Sequence, residues 1–230
     1  MDEIEVLYED NHLIAVNKRS GDITQGDKTG DEPLPEKVKR WLKVKYDKPG
    51  NVFCGVIHRL DRPTSGIVVL AKTSKGLSRM NALFQKKEVQ KTYWAIVENA
   101  PAVAQGTLVN DLKKNEKRNK SGVVNEGTSG AKRAELNYNL AAKSDRYSLL
   151  EIDPKTGRHH QIRTQLAHIG STIKGDLKYG AKRSNKDGSI SLHARSISFV
   201  HPVKKERVEI TAPVPNDNLW QWFEHRVDES

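Results

Sequence analysis

Residues 55–72 read GVIHRLDRPTSGIVVLAK and join a dense polar cluster to an apolar segment. The apolar part, residues 66–71, is rich in β-branched side chains and is typical of a buried strand. Polar residues directly before a buried strand require polar partners or a function. Asp61 lies in this cluster, between Arg59 and Arg62. Cationic neighbours favour the ionised carboxylate at neutral pH. A structural ion pair and a catalytic acid are both compatible with this segment.

Strands predominate in the rest of the pattern. Alternating or β-branched segments predict strands at residues 4–8, 13–16, 66–71, 93–98, 134–140, 147–152, 191–199 and 207–211. Helical spacing predicts three helices: residues 38–42 after Pro35, residues 77–84 with Ser74 as cap, and residues 162–169 ending at Gly170. Because strands and helices do not alternate regularly, we predict an α+β fold with a mixed, mainly antiparallel central sheet flanked by helices.

The composition is that of a globular protein. The chain has 230 residues, 36% of them hydrophobic and 30% charged, and its mean hydropathy is −0.70. No apolar run approaches the ~18 residues of a membrane span, and the acidic first five residues do not resemble a secretory signal. A single cysteine, Cys54, excludes an internal disulfide and a thiolate zinc cage. We therefore predict a cytoplasmic protein with no membrane contact.

The net charge of +10 makes a polyanion the first partner to consider. Residues 1–36 contain ten acids and three bases, a net charge of −7, so the remainder carries +17. The bases concentrate at residues 112–133 and at residues 155–186, where Asp176 is the only acid. Charge alone does not distinguish nucleic-acid binding from a solvated surface.

Residues 110–130 are rich in Lys, Asn, Gly and Ser, and they predict a mobile loop or hairpin tip within one domain. An arm that grips a phosphate backbone and a plain surface loop are both compatible with this composition, so the role of the basic segment 112–133 is left open.

A second polar cluster, residues 156–163, opens the third predicted helix, where backbone N–H groups favour anions. On a helix, His159 and Arg163 would share a face opposite Ile162 and Leu166. The spacing of His159, His160 and His168 matches no metal-ligand pattern, so we predict no metal site.

Several motifs, in the same order, resemble those of the RluA-type family of RNA pseudouridine synthases, from about Val6 to Pro213. The signature is residues 55–61 followed by Thr64-Ser65-Gly66. The supporting motifs are Asn17-Lys18 with Gly21, residues 91–95 (KTYWA), residues 157–163 (GRHHQIR), Gly175-Asp176 with Tyr179-Gly180, Leu192-His193-Ala194, and His201-Pro202. One departure is Arg19, which follows Asn-Lys where relatives usually have proline, before an unusually acidic loop at residues 20–33.

The resemblance implies the pseudouridine synthase fold, with an active-site cleft across the sheet, as one catalytic domain over residues 1–230 without a separate N-terminal RNA-binding domain. It assigns catalysis to Asp61, Tyr93 and Arg163: the carboxylate, the ring that stacks on the target base, and the partner of the carboxylate. The predicted substrate-binding residues are Arg59, His58, Lys91, Arg158, His159 and Gln161. Arg59 would occupy the space left by a flipped base, whereas His58 could equally shape the turn that presents Asp61.

The implied reaction needs no cofactor and no metal, and the implied partner is ribosomal or transfer RNA. We expect a monomer with no obligate protein partner. Two alternatives remain: a non-catalytic RNA-binding or ribosome-assembly factor on the same scaffold, and a glycosidase. The glycosidase normally needs a second acid, and no paired acid is evident in the sequence.

Overall fold

The computed structural model describes residues 4–27 and 29–229, which form two compact units. The first unit holds the described residues up to Lys91 and a return segment, Ala194–Pro213. The second unit holds Thr92–His193 and the described residues from Val214 onward. The predicted single catalytic domain over residues 1–230 stays a prediction.

The first unit contains antiparallel strand pairs and two helices. Its strands are β1 (Val6–Glu9), β2 (Leu13–Lys18), β3 (Gly55–Val56), β4 (Ser65–Ala71), β11 (Arg207–Thr211) and most of β10 (Leu192–Val200). They are ordered β1-β2-β4-β10, with β3 beside β4 and β11 beside β10. Leu13 of β2 lies opposite Ala71 of β4, and the register continues to Lys18 opposite Gly66.

The helices of the first unit are α1 (Leu34–Lys45) and α2 (Ser74–Gln85). Pro35 lies in the first turn of α1, as predicted, where the missing N–H costs nothing. The cap of α2 is Thr73 rather than the predicted Ser74, because the Thr73 hydroxyl accepts the N–H of Gly76 at 3.0 Å. Met80 of α2 packs on the face of the sheet that carries Leu13.

The second unit contains an antiparallel sheet ordered β5-β9-β8-β6-β7. Its strands are β5 (Gln90–Val97, which begins at the boundary), β6 (Gln105–Asn115), β7 (Lys120–Val124), β8 (Lys132–Lys143) and β9 (Ser148–Pro154), and its helices are α3 (Gln161–His168) and α4 (Asn218–Asp228). Ile162 and Leu166 of α3 pack on the sheet residues Ala95, Leu150 and Ile152. This apolar contact holds the polar side of α3 at a defined height above the sheet.

Most of the predicted loop at residues 110–130 is strand. It forms the end of β6 and all of β7, which pair from Asp111 opposite Val124 to Asn115 opposite Lys120. The mobile-loop interpretation is therefore wrong for these strands, whereas the hairpin tip, residues 116–119, is confirmed. Pairing of β6 with β8, and of β7 with β6, supplies the backbone hydrogen bonds that the polar composition did not reveal.

Helix α4 was not predicted from the sequence. Asp217 caps it by accepting the N–H of Leu219 at 3.0 Å, and Trp220 and Phe223 are buried against the second unit. The fold class is confirmed: α+β, with a mixed, mostly antiparallel sheet. Among the described residues, no helix is both long enough and apolar enough to cross a membrane.

Candidate active site

In the first unit, Asp61 lies in the turn between β3 and β4 and is partly buried. Its carbonyl accepts the N–H of Thr64 at 3.0 Å, which closes the turn. Gly66 follows with φ +111°, and a Cβ added there would lie 2.4 Å from the carbonyl oxygen of Ala194. Only glycine permits this close approach of β4 to β10, so the turn that carries Asp61 has a fixed exit.

Lys18, at the end of β2, lies beneath the same turn and is 1% exposed. Its ammonium donates to the carbonyl of Arg62 at 3.0 Å and to that of Arg19 at 2.8 Å. Burial lowers the pKa of Lys18 to about 8, while the charges of Asp22 and Asp61 act in the opposite direction. A buried cation thus supports the turn that carries Asp61, and its charge interacts with that carboxylate.

His58 is occupied by the scaffold of the first unit. Its Nε2 accepts the backbone N–H of Val69 at 3.1 Å, and its ring stacks on Phe84 with the centroids 5.2 Å apart. Burial, together with the charge of Lys91, lowers the pKa of His58 to about 3, so the ring is neutral at pH 7. The ammonium of Lys91 lies 5.9 Å from the centroid of the Phe84 ring. RNA contact by His58 and by Lys91 stays a prediction.

The acidic loop at residues 20–33 holds both arginines that flank Asp61. Arg59 donates to the side-chain oxygen of Gln25 at 2.6 Å. The guanidinium of Arg62 lies 2.6 Å from Asp31 and 3.3 Å from Asp27. The acids that looked unusual in the sequence therefore compensate the charge of Arg62, and Arg59 remains exposed at the edge of the turn.

In the second unit, Arg163 lies on α3 and is 5% exposed. Its Nε and Nη2 atoms contact the two carboxylate oxygens of Asp176 at 2.7 and 2.9 Å, a forked ion pair. The ring of Tyr179 lies 5.0 Å from the guanidinium carbon. The orientation of Arg163 is thus determined by an acid and an aromatic ring within its own unit.

The Tyr179 hydroxyl is a hub of buried hydrogen bonds. It accepts the N–H of Ser121 at 2.9 Å and lies 2.9 Å from Nδ1 of His160 and 3.2 Å from the hydroxyl of Thr164. Burial and the charge of Arg163 lower the pKa of His160 far below its ordinary value, so this ring is neutral. The hub joins strand β7, helix α3 and the loop that carries Asp176.

Three other predicted substrate-binding residues lie at the start of α3. The amide of Gln161 is buried, where it accepts from Arg158 N–H at 2.9 Å and donates to the carbonyl of Glu135 at 2.9 Å. The guanidinium of Arg158 donates to the carbonyl of Arg133 at 2.8 Å and is exposed. These two residues hold the loop before α3, and their contact with RNA stays a prediction.

His159 is the third of these residues. Helix α3 begins at Gln161, after His160 with φ +52°, so the predicted shared helix face of His159 and Arg163 is wrong. The ring of His159 instead contacts the hydroxyl of Ser121 at 2.8 Å and stacks on His160 at 3.8 Å. It fastens the β6–β7 hairpin to the start of α3, and its contact with RNA stays a prediction.

Tyr93 lies on β5 of the second unit, opposite Ile152 of β9, and is partly buried beside the apolar core. Its ring therefore stands on a strand rather than on a loop, which limits its movement. Within residues 4–27 and 29–229, no group of three or more His, Cys, Asp or Glu side chains is arranged to hold a metal ion. The expectation of no cofactor stays a prediction.

Reasoning from the sequence missed the roles of Lys18, Asp176 and Tyr179. Each stood in a motif of the resemblance, yet none was given a function. Two signals could have identified Lys18 and Asp176: a lysine at the end of a buried strand, and a single acid among eight bases in residues 155–186. Both are charges that a fold retains only if they have partners.

The chain matches the family described as RNA pseudouridylate synthase over residues 12–168, which include Asp61, Tyr93 and Arg163. It is 33% identical over 217 residues to the ribosomal large subunit pseudouridine synthase C of Buchnera aphidicola subsp. Baizongia pistaciae, covering 91% of this chain and 66% of that protein. It is 32% identical to the tRNA pseudouridine synthase C of Haemophilus influenzae, covering 95% of each chain.

The fold is also that of solved human structures. The human RNA pseudouridylate synthase domain containing 4 protein has a TM-score of 0.78 and 22% identity, covering 97% of this chain and 93% of that chain. The domain containing 1 protein has a TM-score of 0.72 and 21% identity, covering 96% of this chain and 88% of that chain. These matches confirm the predicted fold, and the sequence matches confirm the predicted family and its enzyme class, an isomerase. The chain therefore belongs to the RNA pseudouridylate synthase family.

Proposed function

We propose that this protein isomerises uridine to pseudouridine within RNA, with Asp61 as the catalytic carboxylate. The bond between N1 and C1′ breaks, C5 bonds to C1′, a proton leaves C5 and a proton is added at N1. This sequence balances without an oxidant, water or a metal. One carboxylate suffices as a nucleophile on the sugar, as a nucleophile on the base, or as the base that removes a sugar proton.

The observation that carries the proposal is the construction of the turn at Asp61. A partly buried acid is presented on a closed turn, between a glycine that admits no side chain and a buried lysine whose charge interacts with the acid. The neutral His58 fixes the segment to β4 without adding charge. A purely structural acid would need an ion pair only, whereas this arrangement presents a carboxylate at a defined position beside a buried cation.

Arg163 and Tyr93 have the other two roles in the proposal. Arg163 pairs with the catalytic carboxylate, and the fork with Asp176 holds its plane in one orientation, which supports that role. Tyr93 stacks on the target base. Stacking restrains a detached uracil without fixing its rotation, so the ring can turn before C5 is joined to C1′.

The proposed partner is structured RNA, ribosomal or transfer. The relatives named above act on the ribosomal large subunit and on tRNA, and the net charge of +17 downstream of residue 36 suits phosphate contacts. A uridine in folded RNA must be extruded, which costs a few kcal/mol and is easiest at loops and bulges. Arg59, exposed beside Asp61, fills the space left by the base. We propose a monomer that acts without a protein partner.

The product distinguishes this function from its alternatives. Unmodified ribosomal and transfer RNA transcripts containing radiolabelled uridine are incubated with the protein, digested to nucleotides and separated. Pseudouridine supports the proposal. Free uracil would indicate a glycosidase, and unchanged uridine with retained RNA binding would indicate a binding factor; either result would overturn it. Mapping of the pseudouridines lost in a deletion strain identifies the target.

Asp61→Asn and Asp61→Ala are the first variants to test. We expect both to form no pseudouridine, because neither side chain supplies a carboxylate, while folding and RNA affinity stay close to wild type. Thermal unfolding and filter binding check the two retained properties. Turnover at the wild-type rate by either variant would remove Asp61 from the mechanism.

A further inference from the structure

The second unit contains a basic pocket of about 430 Å³ that none of the roles above uses. Four bases line it with one acid and one aromatic ring: Arg146, Lys174, Lys182, Arg183, Glu98 and Tyr147, and the rest of the lining is Asn99, Ser184 and Asn185. We infer that this pocket binds a backbone phosphate of the RNA several nucleotides away from the target uridine. The inference rests on the proposed function only for the identity of the RNA as substrate.

The wall of the pocket is held in place by internal bonds. Asn185 accepts from the ammonium of Lys174 at 2.6 Å and donates to the hydroxyls of Ser189 and Ser191 at 3.2 Å. Gly175 has φ +87°, and a Cβ there would lie 2.8 Å from the Asn185 side chain, so the two segments touch closely. The loop at residues 181–190 is thereby fastened to the core, and the pocket is pre-formed.

The basic side chains at the rim of the pocket do not take part in the hydrogen bonds that hold its wall. In the part of the chain that the structure describes, the side chains of Arg146, Lys182 and Arg183 have no acidic partner and no hydrogen bond. The carboxylate of Glu98 accepts the backbone N–H of Lys182 at 3.1 Å and is thus partly used. Three uncompensated cations around a concave surface favour an anion with several oxygens, and a phosphodiester fits that description.

Tyr147 makes a nucleotide more suitable than a simple anion. Its ring is partly buried just before the start of β9, with the ammonium of Lys174 5.8 Å from its centroid. An aromatic face beside arginine and lysine side chains accepts a base next to its phosphate without sequence preference. The expected ligand is therefore a nucleotide of a single-stranded or looped segment.

The position of the pocket relative to Tyr93 follows from the strand register. Tyr93 lies opposite Ile152 and Val97 lies opposite Ser148 in the β5–β9 pair, so Glu98 and Tyr147 share the far end of the two strands. Glu98 is five positions beyond Tyr93, about 17 Å along the strand, and Tyr93 and Tyr147 belong to the apolar clusters on opposite faces of the sheet. An RNA strand that reaches the pocket from Tyr93 must therefore pass around the end of the sheet, and with a rise of about 3.4 Å per nucleotide it needs at least about five nucleotides.

The test compares Arg146→Ala/Arg183→Ala with a control, Lys75→Ala/Arg79→Ala, which removes two exposed bases from α2. Binding of fluorescein-labelled oligouridylates of twelve and of three nucleotides is measured by anisotropy against salt. We expect the pocket variant to bind the dodecamer about tenfold more weakly, with a salt slope smaller by about 1.4 for two lost phosphate contacts. All binding by the control should change little, and the trimer, which is too short to span the distance, should bind the wild type far more weakly than the dodecamer does.

Two results would overturn the assignment: unchanged dodecamer binding, or an equal loss in the control. Calorimetric titration with inorganic pyrophosphate separates RNA from a free phosphate ligand. Tight pyrophosphate binding that the pocket variant lacks would reassign the pocket to a small anion. These assays measure binding only. A failure to form pseudouridine would therefore contradict the proposed function without affecting the result for the pocket.

Discussion

Arg163 and Asp176 form a forked ion pair in which both side chains are buried, 5% and 1% exposed, with Nε–Oδ2 and Nη2–Oδ1 distances of 2.7 and 2.9 Å. Residues 13 apart in the chain thus orient the arginine that we propose to act with Asp61. A pair this deeply buried contributes little net stability, because the desolvation of both charges offsets their attraction. The ion pair instead determines the orientation of the Arg163 guanidinium.

Asp176→Ala should destabilise the protein by about 3–5 kcal/mol, because it leaves the Arg163 charge buried without its acid. Asp176→Asn keeps the volume and one acceptor, and we expect it to fold with a single-turnover rate at least tenfold below wild type and a smaller change in RNA affinity. Urea unfolding and single-turnover kinetics measure the two effects.

A double variant, Arg163→Met/Asp176→Leu, separates orientation from stability. Replacing both charges by apolar groups should recover much of the lost stability without recovering activity. A wild-type rate in folded Asp176→Asn would show that the pair does not orient Arg163 for the reaction.

Lys18 should make the reaction sensitive to pH near its lowered pKa of about 8. Below that pH the buried ammonium carries a positive charge that supports the turn of Asp61 and interacts with its carboxylate, and above it the charge is lost, so the rate should fall as the pH rises through 8. The free energy of unfolding should change in the other direction, rising between pH 8 and 10.5, because only the unfolded chain still binds the proton there.

Lys18→Met is the matched variant for this effect. We expect a rate about tenfold lower at pH 7, equivalent to about 1.4 kcal/mol, and no decline specific to the region near pH 8. Rate profiles for both proteins, with near-UV circular dichroism at each pH, test this. The same decline in both profiles would assign it to another group.

Tyr93→Ala and Tyr93→Phe distinguish two roles of the Tyr93 side chain, stacking and proton transfer. The alanine variant removes a base–aromatic stack worth about 1–3 kcal/mol and should lose most of its rate, with a smaller loss of RNA affinity. The phenylalanine variant keeps the stack. If the Tyr93 phenol accepts the C5 proton, the rate of the phenylalanine variant should also be low. Retained activity in both variants would exclude Tyr93 from the site.

Tyr179→Phe should reduce stability more than catalysis. It deletes the acceptor of the buried Ser121 N–H, at a cost of about 1–3 kcal/mol, but keeps the ring beside Arg163. Tyr179→Leu removes both and should also lower the single-turnover rate. Urea unfolding and kinetics on the two variants distinguish ring from hydroxyl, and equal stability of Tyr179→Phe and wild type would contradict the hub.

Local patterns predicted much of the fold. Seven of the eight predicted strands overlap the observed ones closely because alternation and β-branching report burial directly, as in β4, and the eighth, at residues 4–8, is shifted to Val6–Glu9. Strands β6 and β7 were missed because their polar composition is compatible with a loop until β6 pairs with β8 and β7 pairs with β6. Helix α4 was missed because its apolar positions had no recognised start signal, although Asp217 caps it.

The sequence by itself determined the family and the turn that carries Asp61, since these depend on motifs of adjacent residues, whereas the need for glycine at position 66 follows from the approach of the Ala194 backbone. Only the tertiary structure decided the partners of the charges: Asp176 for Arg163, the Arg62 carbonyl for Lys18, and the shared pocket of Arg146 and Arg183. Periodicity and composition are local properties, whereas a buried charge is compensated by whichever group strand pairing brings to it. Those pairings connect residues that no pattern along the chain relates.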